Sequence, residues 1–507
     1  MQKNPTLIIL NACFLVLSSC NINNSTQIVN EGIDKAVAEN AQNGDLERIL
    51  PNNLNAEFQA DLEKLHQASV YTIDMEINLD GVNVRVDGSE EVIYTNQESV
   101  PLETIYFRLI PNVGGDYLAV SDVQIDGNPV EPSLKFNNTA LRLDLPEPLA
   151  TEESTIITMC FDEVVPSEMG GNYGLYVHTD DILALDAFFP IIPVYNDEGW
   201  NIEEPPRNAD MVFTDAAFFS ITVDSPKEFI LAAGGKETER KEKLNRQIVT
   251  FEGGPQRDFY LAASPRFVSE STWVDGVKLT SYFVEEFRPS GERVLEIGAD
   301  ALSAYRERFG PYPYNELDMV STPMQAGGME YSNIVAIGID YYDPASTIGD
   351  TPGSVFLESA TAHEVAHEWF YCQVMSDQID EPWLDESLVQ YATYLYYLDT
   401  YGKQTADRFK ESFHQRWERV AKEPIPIGMP AEDYSPKEYG AIVYGRGALF
   451  FEALAEEMGQ ETFDSFLREY VDTFRWGIAE PADLKALAEE SCGCDLSQVF
   501  ADWGVIY

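Results

Sequence analysis

The pattern of apolar residues changes near the middle of the chain, and this change constrains the fold more than any other feature. From Val70 to about residue 267, short β-branched runs such as VYTIDMEINL and FFSITVDS are separated by turn residues, a pattern typical of antiparallel strands. Beyond about residue 290 the apolar residues recur at helical spacing. The segments with this spacing are 291–310, 354–375, 388–402 and 447–459.

We therefore predict an α+β multidomain fold. An N-terminal antiparallel β-sandwich-like domain occupies residues 68–267, and a mainly helical domain occupies residues 268–507. At 507 residues the chain is long enough for both domains.

The charge balance limits the kinds of partner. The chain has 33 Lys and Arg against 86 Asp and Glu, a formal net charge of -53. Such a surface repels phosphate backbones, which excludes nucleic acid as a partner and mildly favours cationic ligands.

The first twenty residues form a predicted lipoprotein signal peptide. One cation, Lys3, precedes an apolar run from Leu7 to Leu17 that is short for a membrane span. The run ends in LSSC, which resembles the bacterial lipobox, so Cys20 is the predicted lipidation site. This predicts an exported, membrane-anchored lipoprotein at the bacterial cell surface or the periplasmic face. An ordinary cleaved signal and an uncleaved anchor remain the alternatives.

A polar tether follows the signal peptide. Residues 21–67 are rich in Asn, Gln, Ser and acids, and a short amphipathic helix is predicted near residues 56–67. Beyond the signal, four cysteines allow three disulfide pairings, and the sequence does not choose among them. They are Cys160, Cys372, Cys492 and Cys494.

The segment TAHEVAHEWF holds the strongest candidate for chemistry. On a helix, His363 and His367 are four residues apart and share one face, so both imidazoles can bind one metal ion while Glu364 lies beside it. With five histidines and 86 acids in 507 residues, chance would give roughly 0.008 such matches. The pattern therefore indicates a metal site.

A hydrolytic zinc site needs three protein ligands and one open position. Downstream, in EPWLDESLVQY, Pro382 can begin a new helix whose first turns carry Glu386, 19 residues after His367. A carboxylate on an adjacent helix can complete the site, so Glu386 is the predicted third ligand.

These motifs resemble the gluzincin aminopeptidases of the aminopeptidase N and leukotriene hydrolase type. The resemblance rests on H-E-x-x-H followed by Glu in a WL-x-E helix, on QAGGMEYSNI, and on AIVYGRGALFF. It implies a thermolysin-like catalytic domain with one zinc ion per chain and peptides with a free N-terminus as substrates.

The resemblance also implies roles for individual residues. Glu364 is the expected general base and acid, and Tyr444 is the expected phenol that stabilises the developing oxyanion. The Gly-Gly-Met-Glu run is expected to bind substrate through Gly327, Gly328 and Met329, with Glu330 pairing with the α-ammonium group. In relatives a second polar side chain from the β domain assists, and Asp186 is the candidate.

Three other functions remain open from the sequence. A zinc endopeptidase or an epoxide hydrolase could use the same site, and an endopeptidase would not need Glu330 to anchor an amine. A non-catalytic peptide-binding relative is also conceivable, although the presence of Glu364 argues against it.

Overall fold

The computed structural model describes residues 53–81, 83–170, 173–204 and 210–505. All of these belong to one compact unit, Glu47–Tyr507. The predicted signal peptide, Cys20 and most of the predicted tether lie outside the described residues. Among the residues that are described, no helix combines the length and the apolar composition needed to cross a membrane.

Strands dominate the first half of the chain. Along β1 and β2, buried and more exposed side chains alternate, so that about every second side chain enters the core, as expected for strands with one buried face. The strands are β1 (Val70–Asp80), β2 (Asn83–Thr95), β3 (Leu102–Arg108), β4 (Leu118–Ile125), β5 (Asn128–Pro129), β6 (Ser133–Lys135), β7 (Ala140–Leu149), β8 (Ser154–Val165), β9 (Val177–Thr179), β10 (Ile182–Leu185), β11 (Tyr195–Asn196), β12 (Gly199–Trp200), β13 (Ala217–Pro226), β14 (Ile230–Ala233), β15 (Lys236–Lys243), β16 (Arg246–Gln256) and β17 (Leu261–Ser264).

These strands form one large sheet and several small ones. The large sheet has eight strands in the order β15-β16-β13-β1-β2-β8-β4-β5, with a three-stranded sheet β3-β7-β6 and a four-stranded sheet β14-β17-β10-β9 beside it. One apolar core contains side chains from all three sheets, for example Ile73, Phe107 and Leu185. The predicted β-rich N-terminal half is confirmed. Among its described strands, however, β1 pairs with β13 in parallel, which alternation along a strand cannot reveal.

A five-stranded mixed sheet opens the second half, where the sequence suggested mainly helix. Its order is β18-β19-β20-β22-β21, and the edge strand β21 runs antiparallel to β22. Because β22 is buried at every position, its apolar run shows no period of two. The strands are β18 (Phe267–Val274), β19 (Val277–Val284), β20 (Glu316–Thr322), β21 (Gly328–Tyr331), β22 (Ile334–Gly338), β23 (Thr347–Ile348) and β24 (Thr351–Pro352).

Helices make up most of the remaining chain, as predicted. They pack around a second large core that contains the fully buried Trp369 and Trp383. The helices are α1 (Arg288–Phe309), α2 (Ile339–Tyr342), α3 (Leu357–Ala366), α4 (Pro382–Tyr401), α5 (Lys403–Glu418), α6 (Pro436–Ala441), α7 (Gly447–Met458), α8 (Gln460–Phe474), α9 (Pro481–Cys492) and α10 (Ser497–Trp503).

Short non-α turns complete the structure. The helix predicted near residues 56–67 is a 3-10 helix over Ala56–Leu65. A π-helix over Ile442–Arg446 separates α6 from α7 and carries Tyr444. Further 3-10 helices span Ile110–Val113, Glu285–Phe287, Gly353–Val355 and Ala431–Asp433. Cys492 and Cys494 form a disulfide, and Cys372 is buried and free.

Candidate active site

Helix α3 carries the first part of the predicted metal site. His363 and Glu364 lie in its last turn, and the helix ends at Ala366, earlier than the sequence suggested. His367 follows at the C-cap and keeps right-handed helical backbone angles, φ −62° and ψ −17°. The spacing of four residues therefore still places both imidazoles on one face. All three side chains are buried.

Helix α4 brings the third donor to this face. Pro382 begins the helix, and Glu386 lies in its first turns. One carboxylate oxygen of Glu386, Oε2, is 3.0 Å from His363 Nε2 and 3.8 Å from His367 Nε2. The two Nε2 atoms are 3.3 Å apart. Two imidazoles and one carboxylate converge within 4.8 Å, a donor set that suits zinc and leaves room for a further ligand.

The outer nitrogens of both imidazoles are also held. His367 Nδ1 lies 2.8 Å from Asp385 Oδ1 and 3.0 Å from the carbonyl oxygen of Phe370. His363 Nδ1 lies 3.4 Å from Gln390 Nε2. Contacts of this kind fix the ring orientation of a metal ligand, and they leave Nε2 free to face the ion.

A second group of residues also meets the distance requirement for a metal. It consists of Glu330, His367 and Asp385. In this group, however, the two carboxylates are already bridged by Gln378, whose Nε2 donates to Glu330 Oε1 at 2.9 Å and to Asp385 Oδ2 at 2.7 Å. The group with His363 has no such bridge among the described residues, so it is the better metal site.

The electrostatics of the site show an excess of buried negative charge. Burial lowers the pKa of His367, but the nearby carboxylates of Asp385 and Glu330 raise it well above its usual value. Burial raises the pKa of both Glu364 and Glu330 well above the ordinary range. Such a cluster favours cations, either a metal ion or an ammonium group.

Strand β21 passes very close to Glu364. A Cβ atom added at Gly328 would lie 2.3 Å from Glu364 Oε1, so only glycine allows the strand to approach the carboxylate this closely. At Gly327 the nearest atom to an added Cβ would be the hydroxyl oxygen of Tyr341, at 2.9 Å. The two glycines therefore place the next two side chains, Met329 and Glu330, beside the metal-binding face.

Tyr444 was expected to face the carbonyl oxygen of a substrate. In the structure it lies in the site and contacts the candidate metal ligand Glu386. Its hydroxyl donates a hydrogen bond to Glu386 Oε1. The phenol is partly buried, and burial raises its pKa well above the ordinary value, so it remains a proton donor. The hydroxyl is thus held next to the candidate metal ligands.

A cavity of about 270 Å³ joins these groups. Eight predicted site residues line it: Gly327, Gly328, Met329, Glu330, His363, Glu364, Glu386 and Tyr444. His367 lies beneath this surface and is fully buried.

Asp186 is not brought to this cavity. It follows β10, is buried, and contacts Tyr331, and burial raises the pKa of its carboxyl to about 7. Its neighbour Tyr331 follows Glu330 on β21, but Asp186 itself is not among the residues that line the cavity.

Asp210 takes the place expected for Asp186. It precedes β13, is buried, and lines the cavity, and burial followed by the charge of Glu330 raises its pKa. The sequence gives no spacing signal for this residue. Gln378, Gln390 and Arg416 were missed for the same reason.

Comparison with known proteins finds a family match in the second half of the chain. Residues 293–503 match the Peptidase family M1 domain. This segment is similar to the peptidase family M1 domain. The match confirms the resemblance to the gluzincin aminopeptidases that the motifs indicated.

Curated relatives of this M1 domain include two proteins with functional names. Aminopeptidase M1 of Arabidopsis thaliana is 25% identical over 415 residues, 76% of this chain and 46% of the plant protein. Tricorn protease-interacting factor F2 of Thermoplasma acidophilum is 26% identical over 303 residues, 57% of this chain and 37% of that protein. The chain thus spans less than half the length of these relatives.

Solved structures share the fold over more of the chain. The M1 zinc metallopeptidase from Deinococcus radiodurans superposes with a TM-score of 0.65 at 19% identity, covering 87% of this chain and 94% of that one. A point mutant of that enzyme, bound to a Tyr-Ser-Ala substrate, gives a TM-score of 0.63, also at 19% identity, covering 87% and 94%. The order of β-rich sheets followed by a helical half is therefore that of known M1 structures.

The geometry predicts which carboxylates hold metal. Glu386→Ala removes one of three converging donors, so bound zinc should fall well below one equivalent per chain. Glu364→Gln should retain about one equivalent, because Glu364 is not among the three donors. Zinc is measured by elemental analysis after dialysis against a weak chelator. Full occupancy in Glu386→Ala would contradict the assignment and would favour the group with Glu330 and Asp385.

Proposed function

We propose that this protein is a zinc-dependent aminopeptidase that removes N-terminal residues from peptides. The observation that carries the proposal is that Glu330 and Asp210 line the same cavity as the metal-binding face and Glu364. A cavity with an anionic end beside a hydrolytic centre fits a substrate with a free ammonium group.

Zinc bound by His363, His367 and Glu386 would polarise the scissile carbonyl and lower the pKa of bound water toward about 7. Glu364 is buried against Gly328, and burial raises its pKa, so its carboxylate, once ionised, is a stronger base than an exposed glutamate. We assign it the transfer of a proton from the attacking water to the departing amine.

Tyr444 supplies a neutral donor near the reacting carbonyl. Its hydroxyl is held by Glu386, and its phenol remains protonated because burial raises its pKa. When substrate binds, the single O–H of Tyr444 would turn from Glu386 to the carbonyl oxygen and stabilise the charge that develops there.

Glu330 fixes which peptide bond is cut. The side chain is held by Gln378, which also holds Asp385 behind His367, so the anionic end and the metal face are tied to each other. An ammonium group bound by Glu330 and Asp210 would place the first peptide bond at the metal. This arrangement favours an aminopeptidase over an endopeptidase, which has no need of an anionic end.

Relatives support a peptide or amino-acid ligand in this cavity. A point mutant of the Deinococcus radiodurans enzyme is bound to Tyr-Ser-Ala, and a two-domain M1 zinc metallopeptidase mutant is bound to L-arginine. By analogy, we propose that this chain also binds ligands that carry a free α-amino group.

We also propose that the protein is exported and anchored by a lipid at Cys20. The support is the apolar run from Leu7 to Leu17 that ends in LSSC. An acyl chain on Cys20 would hold the enzyme at a membrane through the polar segment that follows.

The aminopeptidase proposal predicts a selective defect for Glu330→Ala. On substrates with a free amine, kcat/KM should fall by the equivalent of about 2 to 5 kcal/mol, because one side of a buried charge pair is removed. Zinc content should not change. Activity is measured on aminoacyl arylamides, and Glu432→Ala, at an exposed acid, controls for the loss of one negative charge.

N-acetylated substrates test whether the enzyme needs a free amine. They lack the ammonium group, so the wild-type enzyme should cut them poorly and Glu330→Ala should change them little. Equal rates on acetylated and free peptides would contradict the aminopeptidase proposal and favour an endopeptidase.

The lipid anchor predicts a change of fractionation. Cys20→Ser removes the thiol that would carry the acyl chain, so the protein should be released from membranes or remain unprocessed. The measurement is membrane fractionation with metabolic labelling by a palmitate analogue. Firm membrane association without label in the variant would show that the lipobox interpretation is wrong.

A further inference from the structure

Arg416 is a cation in a cavity otherwise surrounded by acids. It lies near the end of α5, is partly buried, and lines the same cavity as Glu330 and Glu364. Among the described residues that line this cavity, it is the only Lys or Arg, whereas four are Asp or Glu.

Among the described residues, the hydrogen-bond partners of Arg416 are neutral, and the nearby Glu386 carboxylate acts on it through its charge. Its Nη1 donates to Gln390 Oε1 at 3.1 Å and to the carbonyl oxygen of Tyr444 at 3.4 Å. The guanidinium carbon lies 5.9 Å from the centre of the Tyr444 ring. No ion pair of Arg416 occurs at 4.0 Å or less in the part of the chain that the structure describes.

Part of the guanidinium group is therefore available to a ligand. Both hydrogen bonds use Nη1, and in the described part of the structure neither Nε nor Nη2 is a buried polar atom without a partner. These two nitrogens form an edge that matches the two oxygens of a carboxylate.

The position of Arg416 relative to Glu330 gives the cavity a polarity. Glu330 is linked through Gln378 and Asp385 to Nδ1 of His367. Arg416 is linked through Gln390 to Nδ1 of His363. The acidic and the basic side chain are thus linked to different imidazoles of the candidate metal site.

From this arrangement we infer that Arg416 binds a carboxylate on the leaving-group side of the substrate. The inference rests on the proposed aminopeptidase function and names its substrate class: short peptides that carry a carboxylate close to the scissile bond. A peptide of two or three residues has an ammonium group at one end and a carboxylate at the other, which matches the acidic and the basic side chains that line the cavity. Its volume of about 270 Å³ also favours a short ligand.

The same carboxylate chemistry has two sources, the free C-terminus of a short peptide or an acidic side chain after the scissile bond. The first test compares Leu-Ala and Leu-Ala-Ala with their C-terminal amides. The wild-type enzyme should prefer the free acids. Arg416→Ala should lower kcat/KM for the acids roughly 10- to 100-fold, as expected for a lost hydrogen-bonded charge pair, and leave the amides essentially unchanged.

A second arm identifies the source. Leu-Asp amide and Leu-Asn amide differ only in a side-chain carboxylate, so a preference for the former that is lost in Arg416→Ala would assign the arginine to that side chain. The control variant is Arg419→Ala. Arg419 is exposed, does not line the cavity and has no ion pair among the described residues. Its removal takes away the same charge and should change none of these ratios.

Two results would overturn the inference. One is a wild-type enzyme that shows no preference for a carboxylate in either arm. The other is an equal loss on acids and amides in Arg416→Ala, which would mean that the arginine acts only by holding Gln390 and His363.

Binding separates this inference from the proposed function. Titration calorimetry with Leu-Ala and Leu-Ala amide is carried out on Glu364→Gln, with and without Arg416→Ala. Acid-selective binding without any turnover by the wild type would support the role of Arg416 and contradict the aminopeptidase function. Turnover without acid-selective binding would support the aminopeptidase function and contradict the role of Arg416.

Discussion

The concentration of buried carboxylates around two imidazoles is the constraint on which the rest of the site depends. Asp210, Glu330, Glu364, Asp385 and Glu386 are all buried at one place. Removing so many charges from water is costly unless cations or hydrogen bonds compensate. Burial raises the pKa of Glu386 as it does for its neighbours, but the hydrogen bond and charge of His363 bring it below the ordinary value.

Three kinds of cation can compensate the negative charge of the acids in the cavity. The donor set of His363, His367 and Glu386 suits a metal ion. Glu330 and Asp210 form an end that suits an ammonium group, and the guanidinium group of Arg416 supplies the one fixed cation among the described lining residues. The same surplus of negative charge therefore fits the candidate metal centre, the proposed binding of a free amine and the proposed role of a single arginine.

The sequence predicted the parts of the site that lie within short motifs. His363, Glu364 and His367 are recognisable because their spacing on one helix is local, and Glu386 because it lies in a nearby helix start. Asp210, Gln378, Gln390 and Arg416 were not predicted, since only tertiary packing brings them to the site. Asp186 was the plausible acid in the β-rich half, yet it contacts Tyr331 and does not line the cavity. The helical spacing over residues 354–375 also extends past the true end of α3 at Ala366, since the backbone then leaves the helix and reaches φ 148° at Tyr371.

A crystal structure of zinc-loaded Glu364→Gln with bound Leu-Ala would test the central claim most directly. The account predicts an anomalous zinc peak about 2.0 to 2.2 Å from His363 Nε2, His367 Nε2 and an oxygen of Glu386. It also predicts the ligand ammonium group in hydrogen-bond contact with Glu330 or Asp210. Zinc held instead by Glu330, His367 and Asp385 would contradict it, because the amine anchor would then be a metal ligand.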